Sequence, residues 1–154
     1  MLVNLAIELL AREGWSASAE VSFNLRGERG SIDVLAFHPA TGSLLVVEVK
    51  SVVPDIQAML VTLDRKGRLA RAVARERDWA ASTVTRLLVL PDDRTARRRV
   101  DALAATFQST LPARTVQVRR WLKAPVGTQH GVLFLSDEPQ EGTRHRKPAP
   151  RPDG

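Results

Sequence analysis

The chain has 154 residues, enough for one domain with its own core, and its 44% hydrophobic and 26% charged residues are ordinary globular proportions. It contains no cysteine, which excludes disulfides and thiolate metal sites, and His38, His130 and His145 show no ligand spacing, so any metal would be held by oxygen. The net charge of +6 favours polyanionic partners, nucleic acid first.

The opening segment, MLVNLAIELLAREGW, places Leu2, Leu5, Ala6, Leu9 and Leu10 on one helical face, and Gly14 ends the helix. It lacks a basic leader and a small-residue cleavage site, so it reads as an amphipathic helix and not as a signal peptide. No stretch reaches the roughly 20 apolar residues of a bilayer span. A cytoplasmic protein without a membrane partner is expected.

Residues 17–25 alternate as a strand, RGERG makes a hairpin turn, 31–37 form a second strand, and HPATG leads into a third at 43–50. The short loops predict an antiparallel meander. Beyond Ser51 the period changes to that of a helix, which begins near Pro54 and continues to about residue 78, with Gly67 as a place for a bend. The apolar run TRLLVLP at 85–91 follows this long helix and is expected to return parallel to the third strand. Another helix is predicted over 94–108, and TVQVRRWL (115–122) and GVLFLS (131–136) read as further strands or strand-like edges. Residues 137–154 are polar and proline-rich and read as a disordered tail behind a single domain at 1–136. The fold class expected is α/β, a mixed central sheet flanked by helices.

Three charges stand on otherwise apolar strands. In VVEVKS, Glu48 and Lys50 share a face with Leu44 and Val46; in GSIDVLAF, Asp33 shares a face with Leu35 and Phe37. Hairpin pairing of the two strands brings Asp33 opposite a residue close to Glu48. Two carboxylates at that spacing repel unless a cation lies between them, and magnesium commonly takes one or two carboxylates together with water and phosphate oxygens. Lys50 would stand beside such a site. The plainer alternatives are a Glu48–Lys50 ion pair on a half-exposed strand, and an Asp33 that bonds the neighbouring hairpin.

The string G-S-I-D-V-L-A-F, a spacer, and V-V-E-V-K resembles the PD-(D/E)XK nuclease superfamily, in particular its branch of Holliday-junction-resolvase-like and Mrr-like enzymes. The resemblance covers about residues 1–91. It implies an αβββαβ restriction-endonuclease-like core, with Asp33 and Glu48 as metal-binding acids and Lys50 as the catalytic lysine. It also implies Mg2+ or Mn2+ as cofactor, DNA as the substrate of an endonuclease, and a homodimer as one arrangement for cutting both strands.

Two departures accompany it. Gly30-Ser31-Ile32-Asp33 stands where such relatives often have Gly-Glu-Ile-Asp, and the acid often found early in their first helix has no counterpart at Asn4, with Glu8 one turn further on. Glu20, on the first strand, is the candidate for a third, accessory carboxylate. These departures keep open a nucleic-acid-binding module of the same fold that does not cut, and an interaction domain in a defence or regulatory system. Lys66, Arg68, Arg71 and Arg75 follow helical spacing and are the candidates for contact with a phosphate backbone.

Overall fold

The computed structural model describes residues 1–136. The tail expected at 137–154 lies outside the described residues. In chain order the elements are α1 (Leu2–Arg12), β1 (Ser16–Leu25), β2 (Glu28–His38), β3 (Ser43–Val49), α2 (Ile56–Arg75), β4 (Thr83–Pro91), α3 (Arg94–Ala102), α4 (Ala104–Thr110), α5 (Thr115–Lys123) and β5 (Gly131–Leu135). The strands form one open five-stranded sheet in the order β1-β2-β3-β4-β5. The chain is therefore an α/β protein with a mixed sheet. Among the described residues, no helix is long and apolar enough to cross a membrane.

The meander is antiparallel as the short turns require, and β4 and β5 run parallel to β3 because helices carry the chain back across the sheet. The first hairpin closes on only two residues, Arg26 (φ 51°) and Gly27 (φ 84°), beyond the Leu25–Glu28 pair. Two positive φ values match the right-handed twist of the flanking strands.

Each sheet face carries its own core. On one face Leu44, Val46, Leu88 and Leu90 pack under α2, α3 and α4, through Leu63, Val73, Val100 and Phe107. On the other, Leu45, Val47, Leu87 and Val89 pack under α1 and α5, through Leu9, Leu10, Val118 and Leu122. Both faces of β3 and β4 are thus covered, which is why these strands read as continuous apolar runs. Trp15 ties α1 to α5 by donating its Nε1–H to the Leu122 carbonyl at 3.0 Å.

The helix α2 starts on the Asp55 side chain, which accepts the Ala58 N–H at 3.2 Å. It runs as one helix through Gly67, the weak point marked in the sequence, to Arg75. The predicted helix at 94–108 is two helices, because Leu103 leaves helical geometry at φ −109° and ψ 28°.

Residues 115–122, expected as a strand, form α5 instead. The alternation of Val116 and Val118 suggested period two, yet Val116 is 68% exposed and the buried set is Val118, Trp121 and Leu122. That spacing of three and four is helical. The Gln117 side chain secures the first turn by accepting the Arg114 N–H at 2.9 Å.

Candidate functional site

Strand register sets the level of the acids. The last registered β2–β3 pair is Val34 with Val47, so the next position sets Asp33 across from Glu48. On the other side of β2, the pairs Ala19–Val34 and Val21–Ile32 bracket Glu20 and Asp33. Glu20, Asp33 and Glu48 therefore occupy one row across three strands.

The hairpin changes face at this row. Ala17 and Val34 pack in the α1 side of the sheet, whereas Val21, Phe23 and Ile32 pack in the α2 side. Strand alternation forbids that switch unless the backbone twists locally. Glu20 supplies the twist with a φ of 50°, a left-handed conformation that costs a residue other than glycine on the order of 1–3 kcal/mol. The outer half of the hairpin consequently folds toward α2, where Arg65 lies over the Phe23 ring at 5.8 Å.

Where β2 leaves β3, Asp33 replaces a backbone partner. Its Oδ2 accepts the Val49 N–H at 2.7 Å, a bond that satisfies a strand amide the departing β2 no longer reaches. Asp33 is half-buried and has Oδ1 left over from this contact. The bond it makes runs to the neighbouring strand and not to its own hairpin turn.

Glu48 projects from β3 into the α2 side of the sheet and is buried. Lys66 of α2, buried as well, places its Nζ 2.9 Å from Glu48 Oε1. Lys50 Nζ lies 3.4 Å from Glu48 Oε2, and its side chain is 39% exposed. The Glu48–Lys50 ion pair, the plainer of the two sequence readings, is present, and a second lysine makes the closer contact. Glu48 thus stands between two ammonium groups, and its charge is compensated by the protein's own side chains.

Lys66 departs from the row of bases expected to contact a phosphate backbone, because it is buried. It occupies the inward stripe with Met59, Leu63, Ala70 and Val73, while Arg68, Arg71 and Arg75 are exposed. The signal was present: a charged residue at a position where helical spacing requires an apolar one needs a buried partner of opposite charge.

The acids offer hard oxygen donors. Asp33 keeps an oxygen beyond its bond to Val49, and each carboxylate oxygen has more than one lone pair. That set suits a magnesium or manganese ion that retains water and phosphate ligands. Glu20 is exposed on the rim of the row, and among the described residues no three acidic or histidine side chains converge as a metal cluster. Glu8 is exposed on α1.

The strand ends beside Lys50 open onto a cleft of about 610 Å³ lined by Met1, Leu2, Val49, Ser51 and Asp92, among others. Ligands of open α/β sheets commonly bind outside the carboxyl ends of their strands. The two aspartates of this cleft are already engaged: Asp93 accepts the Ala96 N–H at 2.8 Å, and Asp92 accepts from Arg97 Nε at 2.6 Å. The bond to Asp92 raises the Arg97 pKa above its ordinary value.

No family model matches this chain, and no curated protein matches it significantly.

Proposed function

We propose that this protein is a magnesium-dependent phosphodiesterase acting on nucleic acid, a DNA endonuclease of the PD-(D/E)XK type. The observation that carries the reading is that Asp33, one step beyond the last β2–β3 pair, bonds the Val49 N–H next to Glu48, with Lys50 beside Glu48 at the accessible end of the same strand. The element order from α1 to β4 agrees with the αβββαβ core of that superfamily. The positive charge of the chain suits a polyanionic substrate.

In this reading Asp33 and Glu48 hold the ion. A bound Mg2+ supplies Lewis acidity toward a phosphate oxygen and makes its water more acidic. Asp33 is oriented for the task by the Val49 amide, which fixes its carboxylate against the β3 backbone. Glu48 is held in one rotamer by Lys66 from the protein interior. Lys50, free to move at its exposed end, orients the attacking water and offsets charge that develops on the phosphate. Glu20 stands as an accessory acid at the rim of the row. A homodimer is the arrangement proposed for cutting both strands.

The second reading is a nucleic-acid-binding module of the same fold that does not cut. The buried Lys66–Glu48 contact favours it, because an internal ammonium already compensates the acid that would hold the metal. Incubation with branched, single-stranded and duplex DNA, with and without Mn2+, separates the two. The nuclease reading requires metal-stimulated cleavage that disappears in Lys50→Ala and in Asp33→Asn. Retained DNA binding without cleavage selects the binding module, and cleavage that persists in both variants removes the proposed site.

A further inference from the structure

A second constellation lies on the α2 side of the sheet, toward the start of β4. Arg86 leaves β4 on that face and crosses α2 at Gly67, where a Cβ would stand 3.0 Å from the Arg86 Cδ. The missing side chain lets Arg86 lie flat against the helix and reach Asp64, whose Oδ1 accepts from Nη1 at 3.0 Å. One turn along α2, Arg71 Nη2 donates to the Ser82 carbonyl at 2.7 Å. Arg68, on the same helix, extends an exposed guanidinium that approaches Glu28 at 3.5 Å.

His130 closes the group from the segment before β5. Its Nδ1 accepts the Arg86 backbone N–H at 3.1 Å, which puts the ring proton on Nε2. Burial first, and the Arg86 charge second, hold its pKa below the ordinary histidine value. Among the described residues, Nε2–H meets no hydrogen-bonding partner. These side chains line one open cavity of about 480 Å³.

The balance of groups is one-sided. Three arginines and a histidine line the cavity against one carboxylate, Asp64, which Arg86 already engages, while the Arg68 guanidinium also reaches Glu28. Arg86, Arg71 and His130 are each anchored by a backbone or side-chain bond, so little ordering is needed to bind a ligand. Planar guanidinium forks match the paired oxygens of a phosphoryl group, and a fixed imidazole N–H adds a donor from a different direction.

We propose that the cavity formed by Arg68, Arg71, Arg86 and His130 is a phosphoryl-binding site, separate from the Asp33–Glu48 row. It takes either a backbone phosphate of nucleic acid or a free phosphate, and only the first source rests on the nucleic-acid reading given above. In that case the site holds substrate on the β4 flank of α2 and leaves the chemistry to the acids.

The test is calorimetric titration of the full chain in EDTA with inorganic pyrophosphate and, separately, with a short DNA duplex, for wild type, Arg71→Gln and Arg71→Gln/Arg86→Gln. The single variant touches only an exposed side chain and keeps the Arg86–Asp64 contact, so it stays informative if the double variant misfolds. The site predicts about a tenfold loss of affinity for at least one probe in the single variant. If the lost probe is DNA, the salt dependence of binding also falls by about one counterion per arginine removed. Loss toward DNA assigns the site to the backbone; loss toward pyrophosphate alone assigns it to a free phosphate. Unchanged affinity for both probes, or no binding of either by wild type, overturns the site. Because no metal or cleavage enters the measurement, a failed nuclease assay leaves this result standing, and the reverse also holds.

Discussion

Lys66 on α2 and Glu48 on β3 meet at 2.9 Å, with side chains 9% and 5% exposed. A buried ion pair of this kind is costly to break from one side, because the survivor is left charged without water or partner. Glu48→Ala should therefore destabilise the protein by about 3–5 kcal/mol. Lys66→Met should cost less, since Lys50 remains beside the acid. The double change Glu48→Leu/Lys66→Met should return stability close to wild type or above it. Urea unfolding of the three variants checks this, and additive losses in the double variant would contradict it.

Asp33 separates charge from hydrogen bonding. Asp33→Asn retains a carbonyl oxygen for the Val49 N–H, whereas Asp33→Ala leaves that amide without its acceptor. The alanine variant should lose about 1.5–3 kcal/mol, and the asparagine variant much less. Under the phosphodiesterase proposal both lose metal-stimulated cleavage. Equal stability of the two variants would mean that the 2.7 Å bond contributes nothing.

Lys50 is the cleaner probe of chemistry. Its side chain is 39% exposed and its contact to Glu48 is long, at 3.4 Å. Lys50→Ala should change unfolding free energy by less than about 1 kcal/mol. Under the phosphodiesterase proposal, single-turnover cleavage should fall by about 100-fold or more, as expected when a group that stabilises developing charge is removed. Glu48→Ala cannot serve in its place, because loss of activity there would be mixed with loss of structure.

His130 makes stability depend on pH. Its folded pKa is lowered from 6.5, first by burial and then by Arg86. As pH falls through the unfolded value, the unfolded chain takes up a proton that the folded protein resists, so stability drops until the folded pKa is passed. His130→Gln keeps an acceptor for the Arg86 N–H and removes the titration. Melting temperatures from about pH 8 to about pH 5 should decline less steeply in this variant than in wild type. Parallel pH profiles would contradict the assignment.

The meander, the long helix and the parallel return were readable in the chain because each is encoded locally. Turn glycines mark the hairpins, apolar runs on both faces mark the central strands, and Pro54 marks the approach to α2, although the cap itself is Asp55. Asp33, Glu48 and Lys50 were recognisable because a charge on an apolar strand is conspicuous. The segment at 115–122 misled because its alternating valines imitate a strand over a few residues, and only contact with Trp15 and the β5 side reveals the helical stripe.

Charges on apolar strands announce that a compensating partner exists but do not name it. Whether Glu48 meets a metal, Lys50 or Lys66 depends on which helix face comes down over β3, and that is a long-range packing choice. The switch of face at Glu20 and the grouping of Arg86 with His130 are of the same kind. Local pattern assigns each residue a period and a face; the distances between faces arise only when the whole sheet and its helices close together.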